Sequence, residues 1–225
     1  MKRKPLVLVL HGPAGVGKDS LVDKLRETTD IRRATSSTSR KPREGEREGV
    51  DYHFMTEAQF REEIAAEKFI EHAMVYGQFK GVHADEIRRH LDAGDDLIIR
   101  TDVQGARTWR RKLEGAINLI LVPGRETWSH GSLLRVGDQA LVGLQTEIED
   151  VRQLLRERLM RRNSETAATL KLRLAEIDEE IADIPNNDYV VVNREGALDD
   201  AVRAVGEIIE RERANPDRKP ARLAV

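Results

Sequence analysis

One stretch near the start of the chain decides the fold: Leu6-Val7-Leu8-Val9-Leu10-His11-Gly12-Pro13-Ala14-Gly15-Val16-Gly17-Lys18-Asp19-Ser20. Its first five residues are apolar without alternation, the pattern of a parallel strand buried on both faces. The segment Asp19 to Thr28 is predicted to be a helix, because its apolar residues are spaced for one face. A glycine-rich loop therefore connects a buried strand to a helix.

This loop has the chemistry of a phosphate site. Its glycines allow a tight turn that aims N–H groups at phosphate oxygens, the helix adds the positive end of its dipole, and Lys18 adds a charge. Ser or Thr directly after the lysine would contact Mg²⁺, but Asp19 stands there and Ser20 follows. Ser20 is thus the candidate magnesium contact. The predicted polyphosphate contacts are Gly12, Pro13, Ala14, Gly15, Val16, Gly17, Lys18, Asp19 and Ser20.

Short apolar runs return at residues 97–99, 117–122 and 189–192 and alternate with helical patterns. Such βα units predict a mostly parallel sheet in a three-layer α/β core. The length of 225 residues suits one globular unit. We expect a single domain over residues 1–225, with the core at 1–35, 92–126 and 183–214, an inserted lobe at 36–91, an insertion at 127–152, a charged helical segment at 153–182 and a flexible tail at 215–225.

Composition restricts the class of protein. There are no cysteines, which excludes disulfides and cysteine-ligated zinc. The net charge of -2 gives no global attraction to nucleic acid or membranes, so neither is expected as a partner. The apolar run behind the basic start is too short for a signal peptide or a membrane span. We therefore expect a cytoplasmic protein that is a monomer or a homodimer.

The inserted lobe begins with a run that is dense in anion-binding groups: Ser36-Ser37-Thr38-Ser39-Arg40-Lys41-Pro42-Arg43-Glu44-Gly45-Glu46-Arg47-Glu48-Gly49-Val50-Asp51-Tyr52-His53-Phe54. Arg40 and Arg43 can both fork onto one phosphate, because guanidinium geometry matches paired phosphate oxygens. Tyr52 adds a hydroxyl donor. Such a run can also be a solvated charged loop, but beside a phosphate loop it favours a second phosphate site.

With these motifs the chain resembles the guanylate kinase family of P-loop kinases. The resemblance spans nearly the whole chain and is carried by the glycine-rich loop, the run at 36–54, and the segments Phe69-Ile70-Glu71, Asp102-Val103-Gln104-Gly105-Ala106, Arg158-Leu159-x-x-Arg162, Arg173-Leu174 and Val191-Val192-Asn193. The resemblance implies a P-loop kinase core with a monophosphate-binding lobe at 36–91 and a helical lid at 153–182.

The resemblance also implies roles for single residues. Arg40, Arg43 and Tyr52 would hold the phosphate of GMP, whereas Ser36, Glu71 and Asp102 would read guanine. A carboxylate suits guanine, because the base presents N1–H and N2–H donors beside its O6 acceptor. Glu71 can also be a surface carboxylate, and Asp102 can be a cap after its strand.

The donor side is assigned in the same way. Arg158, Arg162 and Arg173 match the lid arginines that would close over the phosphates of ATP, and with Lys18 they are the candidate catalytic residues. Asn193 resembles the residue that contacts adenine. Charge neutralisation and alignment suffice for phosphoryl transfer. The implied reaction is ATP + GMP = ADP + GDP, with Mg²⁺ accompanying ATP.

Several positions depart from the family pattern. Lys80 replaces a tyrosine that donates to the phosphate of GMP, and as a lysine it can still bind that phosphate. Val82 replaces a hydroxyl that helps to read guanine, and Arg100 stands where the family has an acid. These changes put the strictness of base selection in doubt. The insertion at 127–152 carries Trp128 and His130, for which packing or a dimer contact is a simpler role than catalysis.

Two alternatives stay open at the level of sequence. Kinases of ribose 1,5-bisphosphate share Gly-Lys-Asp-Ser in their loop but generally lack the Arg-x-x-Gly-Glu run. Non-catalytic guanylate-kinase-like modules bind phosphoproteins but lack an intact phosphate loop, whereas this chain retains Lys18.

Overall fold

The computed structural model describes residues 4–75, 77–125, 133–135, 149–157 and 177–224. In chain order its strands and helices are β1 (Val7–His11), α1 (Lys18–Thr28), β2 (Arg32–Arg33), β3 (Ser37–Thr38), β4 (His53–Phe54), α2 (Glu57–Ala65), β5 (Phe69–Val75), β6 (Gln78–His83), α3 (Ala84–Ala93), β7 (Leu97–Arg100), α4 (Val103–Lys112), β8 (Leu113–Glu114), β9 (Ile117–Gly124), β10 (Leu133–Arg135), α5 (149–157), α6 (177–182), β11 (Tyr189–Arg194), α7 (Leu198–Ala214) and β12 (Arg222–Leu223). A short 3-10 helix, Ile184–Asn186, precedes β11.

The central sheet has the strand order β10-β11-β9-β1-β7-β2. Its pairs are parallel except the outer pair, in which β10 runs antiparallel to β11. The apolar runs at 97–99, 117–122 and 189–192 all became strands of this sheet, so the predicted parallel core is confirmed. Strand β10 lies in the segment 127–152, where the sequence predicted no strand.

Alternation along the strands separates two covering layers. Leu6, Leu8 and Leu10 face a cluster with α1 and α7, whereas Val7 and Val9 face a cluster with α3 and α4. A third cluster joins β9 and β11 to buried residues of α5 and α6, namely Val151, Leu155, Ile177 and Ile181. Helices therefore cover both faces, and the three-layer α/β prediction is confirmed.

The lobe has a second sheet, in the order β4-β3-β6-β5. Its small core stacks Phe60 against Phe69 and Phe79, with ring centroids 4.2 and 5.3 Å apart. Helix α2 begins with a capping box between Thr56 and Gln59. Helix α3 was predicted as part of the lobe, but its Ala84 and Ile87 pack in the cluster of the central sheet.

The prediction of a flexible tail at 215–225 is wrong for the described residues 215–224. The buried Arg218 donates to the carbonyl oxygens of Glu212, Pro5 and Lys4 at 2.8, 2.9 and 2.7 Å. Strand β12 then pairs antiparallel with β8. Polar composition suggested fraying because arginine is seldom buried, and the sequence did not show the carbonyl groups that this arginine satisfies.

Candidate active site

The phosphate loop follows β1 at the carboxyl edge of the sheet and leads into α1. Gly12 has a φ of 145°, and a Cβ there would lie 2.3 Å from the carbonyl oxygen of Leu121. Gly17 has a φ of 100° and is the N-cap of α1, without a side chain to cap the helix. No side chain therefore caps the first N–H groups of α1, and their contact with a polyphosphate stays a prediction.

Lys18 folds back over this loop. Its Nζ donates to the carbonyl oxygen of Pro13 at 3.0 Å and also to that of Gly12. Burial lowers the pKa of Lys18, while the negative charge of Glu180 opposes this shift. The ammonium is therefore desolvated and held at the loop, where an incoming phosphate can replace the two carbonyl oxygens.

Two buried side chains make hydrogen bonds next to the loop. Asn193 Nδ2 donates to the carbonyl oxygen of Val16 at 2.7 Å. His11 Nδ1 lies 2.8 Å from Glu180, and its Nε2 lies 2.9 Å from Asn187 Oδ1. The structure thus gives Asn193 a bond to the loop, and its contact with adenine stays a prediction. The sequence analysis did not predict the buried hydrogen bonds of His11, although a histidine at the end of an apolar strand indicates a polar group that needs buried partners.

Glu71 lies on β5, beside the start of α4. Its carboxylate accepts from the Thr101 hydroxyl at 2.9 and 3.1 Å and from Trp109 Nε1 at 2.5 Å. Burial raises the pKa of Glu71, and the bond from Thr101 partly offsets this. Glu71 is therefore a desolvated and oriented acceptor, not the surface carboxylate considered above. The sequence did not reveal the supporting donors, because they lie about 30 or more residues away along the chain.

Asp102 is the N-cap of α4, and its Oδ1 accepts from the backbone N–H of Gly105 at 2.8 Å. The capping role is therefore confirmed, and contact with guanine stays a prediction. Asp102 is exposed and lines a cavity of 180 Å³ that also contains Lys18, Gln104 and Glu180. The structure thus brings the donor lysine and this carboxylate to one cavity.

The predicted acceptor-phosphate groups lie on the lobe. Arg40 forks onto Glu46 through two bonds of 2.6 and 2.5 Å, and its guanidinium lies 4.9 Å from the ring centroid of Tyr52. Lys80 Nζ lies 5.7 Å from the same centroid. The bond from Arg40 lowers the pKa of Glu46 to about 2. Arg40, Tyr52 and Lys80 thus lie close together, and their contact with the phosphate of GMP stays a prediction.

Arg43 is less closely tied to this cluster. It is exposed, and its backbone N–H donates to Glu46 Oε2 at 2.7 Å. Ser36 is partly exposed and uses its carbonyl oxygen to accept from the N–H of His53 at 2.9 Å. The roles of the Arg43 and Ser36 side chains therefore stay predictions.

Val82 lies opposite Glu71 in the β5–β6 pairing, and its side chain is buried in the cluster of the central sheet. The position that departs from the family pattern is therefore filled by core packing. A hydroxyl at this position would need a buried hydrogen-bond partner.

Two other departures meet each other. Arg100 Nε lies 2.9 Å from Asp19 Oδ1, so the residue after the loop lysine is paired with the last residue of β7. Their charges are complementary, and that was the sequence signal that would have linked them. The candidate catalytic residues Arg158, Arg162 and Arg173 lie outside the described residues, as do Trp128 and His130.

The described ranges contain no group of three or more histidine or acidic side chains that could hold a metal ion. Ser20 is exposed on α1, and Asp19 is engaged by Arg100. In the same ranges, no helix has the length and apolar character that a membrane crossing requires.

Comparison with known proteins agrees with this geometry. A sequence model described as guanylate kinase matches residues 2–157. Guanylate kinase 2, chloroplastic/mitochondrial, of Oryza sativa subsp. japonica is 36% identical over 222 residues, which cover 98% of this chain and 69% of the rice protein. A guanylate kinase of Clostridium perfringens is 32% identical over 215 residues, 95% of this chain and 86% of that protein.

A solved structure shows the same fold. The crystal structure of guanylate kinase from Anaplasma phagocytophilum superimposes with a TM-score of 0.65 at 24% identity, covering 97% of this chain and 91% of that chain. Strand order, phosphate loop and lobe had already indicated a P-loop kinase core. On the extent of the family match and the identity of the relatives, this chain belongs to the guanylate kinase family.

Proposed function

We propose that the protein transfers the γ-phosphoryl group of MgATP to GMP and releases ADP and GDP. The observation that carries this proposal is the position of Glu71. A desolvated carboxylate, oriented by Thr101 and Trp109, lies beside the start of α4. The N-cap of that helix, Asp102, lines a cavity with Lys18 of the glycine-rich loop. Guanine supplies the paired N–H donors that such a carboxylate accepts, whereas adenine would leave it without them.

The donor side would bind the phosphates of ATP. The N–H groups at the start of α1 and the ammonium of Lys18 would meet the phosphate oxygens, with Gly12 to Ser20 as the binding segment. Mg²⁺ would arrive with ATP and be held largely by phosphate oxygens and water, with Ser20 as the candidate protein contact. The ion would neutralise charge on the transferring group.

The acceptor side would bind GMP through both of its ends. Arg40, Tyr52 and Lys80 would hold the phosphate, with Arg43 entering from the exposed loop. Because Arg40 is already paired with Glu46, the phosphate would share or replace that carboxylate at the guanidinium. Ser36, Glu71 and Asp102 would read the base.

In the transfer step, an oxygen of the GMP phosphate attacks the γ-phosphorus of ATP, the bond from that phosphorus to the bridging oxygen breaks, and ADP leaves. Lys18 stabilises the charge that develops on the transferring and leaving oxygens. We propose that Arg158, Arg162 and Arg173 of the lid also stabilise this charge. A cytoplasmic location of the protein stays a prediction.

The test is a panel of GMP, AMP, CMP and UMP with MgATP, read as ADP formed. We expect GMP to be turned over about 100-fold or more faster than the other three, since unpaired donors or acceptors in a desolvated site are costly. The panel is repeated on Lys80→Tyr, which restores the family residue, and on Val82→Ser. Ribose 1,5-bisphosphate is included as a further acceptor.

Turnover of that sugar phosphate with no response to GMP would overturn the proposal in favour of the sugar kinase. Calorimetry with ATP tests the hypothesis of a non-catalytic binding module, because that hypothesis predicts no binding of ATP. Lys80→Tyr should keep turnover within about threefold, because both side chains reach a phosphate with a donor. Val82→Ser should lower stability rather than sharpen selectivity, because its side chain is buried among apolar groups.

A further inference from the structure

Arg100 lies at the carboxyl end of β7, between the strand and the residues that lead into α4. It is the last residue of β7 and pairs in register with Leu10 of β1, which leads directly into the phosphate loop. Two residues later, Asp102 begins α4 and lines the cavity that contains Lys18. Side chains two apart on an extended segment point to the same side. Arg100 thus shares its edge of the sheet with donor and acceptor residues.

Its electrostatic influence reaches both sites. Burial is the main cause of the lowered pKa of Lys18, and the positive charge of Arg100 adds to that shift. Burial raises the pKa of Glu71, and Arg100 partly offsets this rise. The charge of one guanidinium thus acts both on the lysine of the phosphate loop and on the carboxylate of Glu71.

The ion pair with Asp19 involves only one edge of the Arg100 guanidinium. Arg100 is about one-third exposed, and Nε faces Asp19 Oδ1 at 2.9 Å. In the described part of the chain, no bond from either Nη atom is found. Asp19 contacts one edge of the group, and the two Nη atoms can donate in parallel to a pair of phosphate oxygens.

We propose that Arg100 contacts the phosphoryl group during transfer and that Asp19 is a positioning residue that aims it. This inference rests on the proposed kinase function and adds a residue to it. The contact strengthens as charge spreads over the equatorial oxygens of the transferring group, so it acts on turnover more than on ground-state binding. The aspartate that replaces the usual hydroxyl thereby takes over a different task, the orientation of an arginine.

A simpler role for Arg100 is to neutralise Asp19 so that this carboxylate does not repel ATP. The two roles are separated by the variants Arg100→Ala, Asp19→Asn and the double variant, assayed for kcat and for the KM of each substrate. If Arg100 contacts the phosphoryl group, Arg100→Ala lowers kcat about 100-fold with both KM values within about threefold. Asp19→Asn lowers kcat about fivefold, and the double variant is as slow as Arg100→Ala.

The neutralising role predicts the opposite for the double variant. With Asp19→Asn the repulsion disappears, so the activity lost in Arg100→Ala returns, and that recovery overturns our proposal. A loss confined to the KM for ATP, or an unchanged kcat in Arg100→Ala, also overturns it. Arg100→Lys keeps the charge but not the fork, and we expect it to recover no more than about a tenth of the lost rate.

The control is Arg203→Ala on α7, which removes an arginine from an exposed pair with Asp200 at 3.1 Å and should leave kcat unchanged. Thermal unfolding of each variant separates a folding defect from the kinetic effect. If the wild-type protein turns over another acceptor instead of GMP, the proposed substrate fails and the Arg100 series is run with that acceptor. If the wild type turns over no acceptor, both proposals fail.

Discussion

The phosphate loop and the acceptor-phosphate cluster on the lobe are both suited to anions, but different interactions hold them in place. The loop rests on main chain and buried side chains, with Gly12 against Leu121 and Asn193 bonded to Val16. The lobe cluster consists of partly exposed side chains, with Arg40 held by Glu46. One site is therefore fixed by packing, whereas the other is fixed by an ion pair that a substrate phosphate can rearrange.

This difference suggests a division of work between the two sites. A site fixed by packing costs little reorganisation when charge develops, which favours the transition state. A site fixed by exchangeable ion pairs can admit and release an acceptor in each turnover. The predictions below examine this contrast, in order of decreasing effect on activity.

Lys18→Met should have the largest effect. Loss of the buried ammonium removes charge stabilisation of the transferring group, and we expect kcat to fall about 1,000-fold, about 4 kcal/mol. The measurement is ADP formation at saturating GMP and ATP. Lys24→Met on the same helix, where the lysine is paired with the exposed Asp199, is the matched control. Comparable losses in both variants would contradict the assignment.

Glu71→Gln should act mainly on GMP. The amide supplies a donor where guanine also presents donors, and we expect the KM for GMP to rise about 100-fold with the KM for ATP unchanged. The readout is initial velocity as a function of each substrate.

The same carboxylate predicts a pH dependence. Burial raises the pKa of Glu71 above the ordinary value of 4.5. As pH falls, Glu71 therefore becomes protonated earlier than an exposed glutamate would, and it then loses the ionised form that accepts from guanine. A profile of kcat/KM for GMP should therefore fall on the acid side, and this step should be missing in Glu71→Gln. Identical profiles for the two proteins would show that another group titrates.

Arg40→Ala should raise the KM for GMP about 10- to 30-fold, because a charge-assisted contact with the phosphate is lost. Glu46→Gln keeps Arg40 but weakens its anchor, and we expect a rise of no more than about fivefold. Binding of guanosine, measured by calorimetry, should be the same in Arg40→Ala and wild type. A weaker guanosine complex would mean that the lobe itself had been damaged.

Arg218→Ala should have the smallest effect on activity and a clear effect on stability. Removal of the side chain leaves the carbonyl oxygens of Lys4, Pro5 and Glu212 without this donor, at a cost of about 2 kcal/mol. Chemical unfolding measures the loss, while kcat stays within about twofold of wild type. Arg222→Ala, which breaks an exposed pair with Glu114, is the control and should cost less than about 1 kcal/mol.

The sequence was most informative where the chain must satisfy local rules. The apolar runs predicted the parallel strands, and the glycines of the phosphate loop predicted a turn whose φ values only glycine adopts readily. Arg40 and Tyr52, which belong to one short run, lie close together, with the guanidinium 4.9 Å from the ring centroid. These features depend on neighbouring residues or on a short, distinctive run.

Features that depend on contacts between distant segments could not be predicted in the same way. Trp109 as a donor to Glu71, and Arg218 as a donor to the start of the chain, each require the tertiary structure. Strand β10 was missed because a three-residue strand carries almost no periodicity. The pairing of Asp19 with Arg100 was within reach, since both residues had been recognised as departures of opposite charge.

The position of β1 in the sheet has a consequence for how the protein is made. Within this sheet β1 is the first strand along the chain, but its two partners, β7 and β9, begin at Leu97 and Ile117. Arg218, which binds the carbonyl groups of Lys4 and Pro5, emerges later still. The two edges of β1 therefore stay without these partners until synthesis has passed β9. Until then the nascent chain exposes an apolar segment with unpaired edges, which favours aggregation.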